Sequence, residues 1–522
     1  MRDRLPAFAV AGLALVALAL RVPGAATRSL WLDEAWRANI AVAPTWAAFW
    51  HEVLGSGSGG IGAPMAPLFA LALRGLALAV GRSAAGLRAL PLAASVAAVP
   101  LAYLVGRRLF GRAAGLAAAT CFACYPAAVI YGQELKPYSV DVLVVLGLLL
   151  LAERAVRRLD SPRAWVALAL AASLAPGISY PAALVLPGIA LGLLVACRTL
   201  QHVASWAASQ VFAGAAALAW YVAVIGAQRA RPLTAAYWAK EFAPREPAAM
   251  GQWVGAQLLG LADFALGRPL WLFALVALAG YLLAPRWLRV AALVVLATVT
   301  AAAVLRLYPL AAARTSLFLL PFVYLPWGAT VARLGALGAA ARAASLRDHA
   351  RGAVAFAAAV ALLAAPARGS LHPGAGLVRE ETAPLLAWLA AERQPNDRVY
   401  VYYGAEPAFR FYHPAMDARI TLGGSHRKDR HAYVAELERS LAVGERQWLL
   451  FAHVFSALGE VSERDVILGA MRIYGRQIAT RETEGASLHL FEVTRAPGSV
   501  RHLRLTPEDM RDPERLRELL GR

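Results

Sequence analysis

Repeated apolar segments, each about as long as the hydrocarbon core of a bilayer is thick, dominate the first two thirds of this sequence. A helix rises about 1.5 Å per residue, so about 20 mostly apolar residues are needed to cross a membrane. The first such segment covers about residues 5–22, and others follow up to residue 366. A mean hydropathy of +0.53 excludes an ordinary soluble domain. The sequence therefore predicts a polytopic α-helical membrane protein.

Basic residues between the apolar segments predict the topology. Arg2 and Arg4 precede the first segment, and Lys and Arg are enriched in cytoplasmic loops, so we expect a cytoplasmic N terminus. Alternation from that start gives about eleven spans and places the C-terminal part on the extracytoplasmic face of the plasma (inner) membrane. The predicted spans are 5–22, 86–106, 113–131, 139–153, 164–178, 182–197, 204–227, 269–284, 290–305, 316–333 and 352–366.

Two stretches outside these spans need a separate interpretation. Residues 64–80 are apolar but contain Arg74, and a crossing here would place Arg107 and Arg108 outside. We therefore predict a juxtamembrane helix on the outer surface, because clusters of arginine belong on the cytoplasmic side. Residues 228–266, rich in Arg, Trp and Glu, are predicted to form a long outer loop.

The positive net charge of +19 belongs to the membrane part of the chain. Residues 1–366 contain 30 Lys and Arg against 12 Asp and Glu, whereas residues 367–522 contain 22 against 21. Orientation by cytoplasmic arginines explains this excess. Binding of nucleic acid would need a basic soluble face, and the C-terminal part is nearly neutral, so nucleic acid is excluded as a partner.

The C-terminal part has the pattern of a small α/β domain on the extracytoplasmic side. Apolar runs bounded by polar turns predict buried strands at 399–403 and 448–452. A strand pair is predicted between Ile478 and Val493, turning at Glu484 and Gly485. Amphipathic helices are predicted at 382–393, 430–443 and 462–475. The predicted organisation is a transmembrane domain at 1–366, an α/β domain at 367–497 and a charged tail at 498–522.

Two adjacent carboxylates, Asp33 and Glu34, lie in the first outer loop, directly after the first span. A charge at the centre of a span costs about 2.5–3.5 kcal/mol on insertion scales, so charges near a membrane tend to mark function. Asp33 can instead cap the helix that follows, and Glu34 can interact with the dipole of that helix. Trp31 and Trp36 on either side are expected in the interfacial belt of aromatic residues.

Further polar residues lie at the same predicted boundary. A pocket with carboxylates and basic groups suits a substrate that bears a phosphate and a hydroxyl. Lys136 can alternatively extend outward to the interface, and Glu134 can simply pair with it. Asp141 can pair with a neighbouring arginine. The candidate substrate-binding residues are Glu134, Lys136, Tyr138, Asp141, Arg306, Tyr308 and Arg314.

No residue spacing predicts a resident metal or cofactor. The histidines, including His426 and His453, are not spaced as metal ligands, and we expect them to be structural. Cys121 and Cys124 have C-x-x-C spacing but lie in a predicted span, which favours a packing role. A divalent ion at Asp33 and Glu34 stays an open alternative.

Five motifs, taken in order, resemble one family of membrane enzymes. They are Leu-Trp-Leu-Asp33-Glu34-Ala-Trp, Pro64-Met-Ala-Pro67-Leu-Phe, Leu87-Arg88-Ala-Leu-Pro91, Gly106-Arg-Arg-Leu-Phe-Gly111-Arg112 and Tyr131-Gly-Gln133-Glu134-Leu-Lys136-Pro-Tyr138. Together they look like the bacterial relatives of protein O-mannosyltransferases and aminoarabinose transferases. These are polyprenyl-phosphate-sugar-dependent glycosyltransferases of the GT-C type. The resemblance covers roughly residues 1–330, and the usual Pro-Pro-Leu-Tyr pattern is replaced by Met65-Ala66-Pro67-Leu68-Phe69.

This resemblance implies juxtamembrane helices after the first span and a catalytic acid in the first outer loop, at the position of Asp33. It also implies a polyprenyl-phosphate sugar as donor and an envelope acceptor that is a lipid, a glycan or a protein. The chemistry agrees, because a lipid phosphate leaves as a stable anion and only the acceptor hydroxyl needs a base. Asp33 is then the predicted base, and Glu34 is its helper or an acceptor ligand. Cations must hold the phosphate, and the predicted clamps are Lys136, Arg306 and Arg314.

Two other classes of function stay open at this stage. A transporter of lipid-linked sugars would show inverted repeats and charges near the membrane midplane. We find no internal repeat, and the charges lie at the predicted outer edge. A non-catalytic scaffold for envelope assembly would bind through the C-terminal domain, to whose motifs we assign no function.

Overall fold

The chain divides into two compact units in the computed structural model. The first, here called the membrane unit, consists of Met1–Ala26 and Ala43–Pro373. The second, the α/β unit, consists of Thr27–Val42 and Gly374–Arg522, so a short early segment joins the C-terminal part. The residues described are 5–55, 64–229, 241–267, 270–310, 313–340, 346–370, 379–413, 415–426, 429–455 and 462–498. The predicted tail after residue 498 lies outside them.

The membrane unit is built from helices. In chain order the helices up to residue 367 are α1 (Leu5–Thr27), α2 (Leu32–Ala41, in the α/β unit), α3 (Trp46–Leu54), α4 (Pro67–Val80), α5 (Ala84–Phe110), α6 (Arg112–Cys124), α7 (Pro126–Tyr131), α8 (Tyr138–Arg157), α9 (Pro162–Ile178), α10 (Ala182–Ala196), α11 (Leu200–Trp220), α12 (Gly226–Arg229), α13 (Pro247–Leu266), α14 (Leu270–Leu282), α15 (Arg286–Val304), α16 (Leu320–Ala340) and α17 (Leu346–Ala367). A π-helical turn at Tyr221–Ile225 joins α11 to α12, and a 3-10 helix at Arg314–Leu319 precedes α16.

Six helical stretches in the described part of the chain are long and apolar enough to cross a membrane. They are Leu5–Thr27, Ala84–Phe110, Leu200–Gln228, Arg286–Val304, Arg314–Leu337 and His349–Ser370. Shorter apolar helices, such as α6, α9 and α10, lie between them. The prediction of a polytopic helical protein is therefore confirmed, while the number of spans stays a prediction.

The predicted outer loop at 228–266 is wrong in its second half. Residues Pro247–Leu266 form α13, a 20-residue helix. The local signals were present, because Pro247 occupies the first helical position and Gly267, at φ 78°, ends the helix. The polar and aromatic residues before Pro247 are typical of a loop, and they masked the helical pattern that follows them.

Small residues bring helices of the membrane unit close together. A Cβ atom added to Gly115 would lie 2.6 Å from the Tyr103 carbonyl oxygen and 2.8 Å from the Arg107 nitrogen. Only glycine therefore allows α6 to approach the backbone of α5 this closely, as is common between membrane helices.

A buried arginine closes the break between α6 and α7. Pro126 has no N–H to offer the Phe122 carbonyl, which lies one helical turn earlier. The guanidinium of Arg21, which is 0% exposed, donates to that carbonyl at 2.7 Å and to the Ala123 carbonyl at 2.9 Å. It also donates to the Ala17 carbonyl at 2.9 Å and to Ser95 Oγ at 2.8 Å.

The α/β unit contains a five-stranded mixed sheet in the order β2-β1-β3-β5-β4. Strand β1 pairs in parallel with β2 and β3, and β5 pairs antiparallel with β3 and β4. Its strands are β1 (Arg398–Val401), β2 (Ile420–Leu422), β3 (Arg446–Ala452), β4 (Gly475–Thr483) and β5 (Ala486–Val493). Its later helices are α18 (Ala383–Glu392), α19 (Glu406–Tyr412), α20 (Arg430–Ser440) and α21 (Glu463–Tyr474).

The predicted small C-terminal α/β region is confirmed, including the hairpin that turns at Glu484 and Gly485. The short elements β2 and α19 were not predicted. Side chains alternate across the sheet, as the two-residue period of a strand requires. Tyr400 and Leu449 pack into one hydrophobic cluster, whereas Val399 and Leu450 pack into the cluster on the other face.

Candidate active site

The two adjacent carboxylates occupy the first turn of α2 in different environments. Asp33 is half-buried, whereas Glu34 is 1% exposed. The residue at the N-cap position is Trp31, so the alternative that Asp33 caps the helix is wrong. Asp33 is thereby left as the more accessible of the two carboxylates.

Glu34 forms a hydrogen bond at the start of its own helix, which the sequence did not predict. Its Oε2 accepts from the backbone N–H of Trp31 at a distance of 3.4 Å. One turn later, Arg37 Nη1 donates to the Asp33 carbonyl oxygen at 2.8 Å. The backbone around Asp33 is therefore fixed from both sides by residues of its own helix.

Carboxylates of the C-terminal region bind the chain just before Asp33. Glu380 Oε2 accepts from the Leu32 N–H at 2.8 Å. Glu381 Oε2 accepts from the Ser29 N–H at 3.1 Å and from its hydroxyl at 2.8 Å. The Leu30 N–H donates to the Tyr412 hydroxyl at 2.8 Å. Backbone donors that the helix cannot satisfy are thus satisfied by side chains about 350 residues away in the chain.

Trp31 does not lie in an interfacial belt, so that expectation was wrong. It is buried in the α/β unit, where the Arg379 guanidinium lies 4.3 Å from the centroid of its ring. The His453 ring stacks beside it, with 6.5 Å between centroids. His453 Nδ1 in turn forms a hydrogen bond with Glu380, the residue that binds the Leu32 N–H.

A second group of predicted residues lies in the membrane unit, between α7 and α8. Glu134 and Lys136 are each 1% exposed, so the alternative in which Lys136 extends outward to the interface is wrong. The Lys136 ammonium lies 5.9 Å from the centroid of the Tyr138 ring. Both carboxylate and ammonium are therefore enclosed by protein, where charge interactions are strongest.

Asp141, Tyr138 and Tyr308 come together near this group. Burial, and then the charges at Asp141 and Tyr138, raise the pKa of Tyr308 well above its ordinary value. The Tyr308 hydroxyl donates to the Thr315 carbonyl at 2.7 Å. Arg314 begins the short 3-10 helix beside it. Four of the predicted substrate-binding residues thus share one region of the membrane unit.

Arg306 differs from the other predicted cations. It is exposed, its φ of 55° lies in the left-handed region, and it forms no ion pair with a residue the structure describes.

Three further residues, Arg379, Glu380 and Glu381, were missed by sequence reasoning. The signal available was an acidic pair directly before α18, which nothing linked to the start of the chain.

The described ranges of the chain contain no cluster of potential metal ligands. Among those residues, no three His, Cys, Asp or Glu side chains come together as a metal ion would require.

Several solved structures resemble most of the chain. ArnT from Cupriavidus metallidurans in the apo state matches with a TM-score of 0.55 at 13% identity, over 92% of this chain and 97% of that one. The same protein bound to undecaprenyl phosphate matches with a TM-score of 0.51, also at 13% identity and over the same shares. AglB, an oligosaccharyltransferase from Archaeoglobus fulgidus in complex with an inhibitory peptide and a dolichol-phosphate, matches with 0.53 at 12% identity, over 94% and 74%. At this identity the likeness establishes the fold.

Sequence comparison points to the same class of protein. Residues 63–224 match the family described as dolichyl-phosphate-mannose-protein mannosyltransferase. No curated protein matches the chain significantly. The fold of the chain is similar to those of ArnT and AglB. The family match covers less than half of the chain, so it shows that residues 63–224 are similar to that family.

Proposed function

We propose that this enzyme moves one sugar from a polyprenyl-phosphate donor to a hydroxyl of an envelope acceptor, with Asp33 as general base. The acceptor oxygen attacks the anomeric carbon, and its proton passes to the Asp33 carboxylate. The bond between that carbon and the phosphate oxygen breaks, and its electron pair leaves with the phosphate. Attack opposite to the leaving group inverts the anomeric centre. No acid is needed, because the lipid phosphate is a stable anion.

The observation that supports Asp33 is its difference from Glu34. A base must be reachable by the acceptor hydroxyl, and Asp33 is half-buried while Glu34 is enclosed and bonded to the Trp31 N–H. Glu34 then contributes indirectly, because its hydrogen bond to the Trp31 N–H fixes the first turn of α2 around Asp33. The hydrogen bonds from Glu380 and Tyr412 fix the preceding backbone, which keeps Asp33 preorganised.

The donor side of the reaction is assigned to the membrane unit. Lys136 and Arg314, with the more exposed Arg306, are the proposed clamps for the phosphate as its charge develops. A buried ammonium such as Lys136 is effective in this role because little water competes for it. The proposed hydrogen-bonding groups for the donor are Glu134, Tyr138, Asp141 and Tyr308.

The proposed topology puts this chemistry on the extracytoplasmic face. It has about eleven spans, a cytoplasmic N terminus, and juxtamembrane helices α2 to α4. A reporter enzyme active only outside the cytoplasm should be active when fused after Gly498 and inactive when fused at the N terminus. Activity at the N terminus would reverse the assignment.

Asp33→Asn tests the catalytic proposal. A membrane extract from a strain without this gene supplies both the lipid-linked donors and the unmodified acceptor. The variant should transfer sugar about 10²–10⁴ times more slowly, because that is what a general base contributes, while its affinity for polyprenyl phosphate is unchanged. Asp160→Asn is the matched control, since the Asp160 side chain is 89% exposed and bonds only to His202 among the described residues. Normal transfer by Asp33→Asn would sink the proposal.

A further inference from the structure

The α/β unit contains a cavity of about 630 Å³ beside the segment that precedes Asp33. Its wall includes Trp31, Arg379, Glu380, His453, Arg464 and Glu482. Cavities of roughly 300–1,000 Å³ are the size at which proteins bind small ligands. Apart from Glu380, which positions the segment before Asp33, the polar groups that line this space have no role in the proposed reaction.

The charges of the wall are balanced. Glu380 is paired with His453, and Arg464 Nη1 lies 3.7 Å from Glu482 Oε1. A polyanion would therefore meet two carboxylates, and a polycation would meet two guanidinium groups. Side chains that offer both donors and acceptors suit a ligand whose hydroxyls do both.

The apolar part of the wall is small and preformed. Trp31 is fixed by Arg379 over its ring and by His453 beside it, so its indole is already oriented. Apart from Trp31, the apolar side chains of the wall are Phe451, Val454 and Ala486. The wall therefore combines a few apolar side chains with convergent polar groups, which is the composition of many small-molecule sites.

The position along the chain links the cavity to the proposed base. Trp31 lies two residues before Asp33, and two extended residues span at most about 7 Å. Glu380 lines the cavity and also binds the Leu32 N–H at 2.8 Å. The Cα atoms of Trp31, in the cavity wall, and of the proposed base Asp33 are therefore at most about 7 Å apart.

We infer that this cavity is an acceptor subsite and that it binds a neutral saccharide. The inference rests on the proposed function, because it names the acceptor that Asp33 deprotonates. The enzyme then extends a glycan, with one sugar of the acceptor seated against Trp31 and flanked by Arg464 and Glu482.

Saccharide binding to the full chain tests the inference. The protein is placed in lipid nanodiscs, which avoids maltoside detergents, and saturation-transfer NMR is recorded with maltotriose, chitotriose and mannotriose. At least one of them should bind with a dissociation constant of about 1 mM or below. Arg464→Ala and Glu482→Gln should each weaken that binding at least about fivefold, because each removes a polar group of the wall.

Arg476→Ala is the matched control. Arg476 lies on β4 of the same unit, its side chain is 78% exposed, and it is not part of the cavity wall. Binding should be unchanged in this variant. The inference is overturned if none of the three saccharides binds, if inorganic phosphate displaces them, or if Arg476→Ala weakens binding as much as Arg464→Ala.

The failure of this inference can be told apart from failure of the proposed function. Asp33→Asn should lose transfer yet bind the saccharide as well as the wild type. Loss of transfer without any saccharide binding would leave the base assigned and the subsite refuted. Saccharide binding with normal transfer by Asp33→Asn would refute the base and leave the subsite in place.

Discussion

Two buried charges of this protein, one in each unit, are satisfied in different ways. In the membrane unit, Arg21 is bound by three backbone carbonyls and one hydroxyl. In the α/β unit, Asp397 accepts from Arg446 Nε at 2.8 Å and from Trp448 Nε1 at 2.8 Å, as well as from the Gln394 N–H at 2.9 Å. Neutral groups thus stabilise the charge of Arg21, whereas an ion pair with Arg446 helps to stabilise that of Asp397.

The difference helps to separate structural from functional charge. Neutral groups accept hydrogen bonds from Arg21, so this cation needs no carboxylate. One of them is the Phe122 carbonyl, which has no helical donor because Pro126 lacks an N–H. Glu134 and Asp141, buried in the same unit, are therefore not explained as partners of this arginine. In the α/β unit, by contrast, Glu380 and Glu381 both stabilise structure and position the segment before Asp33.

The largest expected effect is on the membrane unit, from Arg21→Met. This change leaves the Phe122 and Ala123 carbonyls buried without their donor, so the free energy of unfolding should fall by about 3 kcal/mol or more. Thiol labelling during heating measures it, because Cys121, Cys124 and Cys197 all lie in the membrane unit. Arg154→Met, at an exposed position on α8, is the control and should label like the wild type. Equal labelling of both variants would contradict the structural role of Arg21.

The second-largest loss of stability is expected for Asp397→Ala, and it should be confined to the α/β unit. Burial opposes the charge of Asp397, but hydrogen bonds from Arg446, the Gln394 N–H and Trp448 outweigh it and lower its pKa. Removing the carboxylate leaves the buried Trp448 N–H without its acceptor, which costs about 2 kcal/mol. Hydrogen exchange in β1 and β3 should accelerate while thiol labelling of the membrane unit stays unchanged. Acceleration of both would show that the two units unfold together.

His489 makes the stability of the α/β unit depend on pH. Burial, and then the charges of Arg464 and Arg472, lower the pKa of His489 to about 4 from an ordinary 6.5. The unfolded chain therefore takes up a proton near pH 6.5 that the folded chain refuses until about pH 4. Over that window the free energy of unfolding should fall by about 1.4 kcal/mol per unit of decreasing pH. Hydrogen exchange in β5 measures the slope, which His489→Gln should reduce. An unchanged slope in the variant would assign the pH dependence to other groups.

The smallest effect is expected for Arg476→Ala. Its ion pair with Glu492, at 2.9 Å, joins two exposed side chains across β4 and β5. Such surface pairs contribute about 0–1 kcal/mol, so exchange in the hairpin should hardly change. A loss as large as that of Asp397→Ala would mean that exposed pairs also stabilise this sheet.

Local patterns in the sequence predicted most helices and strands of both units. The apolar segments of α5, α9 and α10 coincide with predicted spans, because burial of one long apolar helix depends on its own residues. The strands β1, β3 and β5 were found for the same reason. The short β2, with three residues, offered too few positions for a period to be visible.

The assembly of the site could not be predicted in the same way. Asp33 and Glu34 were found because paired carboxylates are unusual beside a span. That Trp31 would be buried against Arg379 and His453 depends on contacts between residues about 350–420 apart in the chain. No local pattern records such contacts. The same applies to Arg21, whose partners follow from the break at Pro126.

The most direct test of this account compares two adjacent residues. The rate of the chemical step is measured in a single turnover, with labelled donor and excess acceptor, for Asp33→Asn and Glu34→Gln. We predict that Asp33→Asn slows the step about 10²–10⁴-fold. Glu34→Gln should slow it less than about tenfold, because a glutamine oxygen can still accept from the Trp31 N–H. The opposite order, with Glu34→Gln inactive and Asp33→Asn near the wild type, would contradict the assignment of Asp33 as the base.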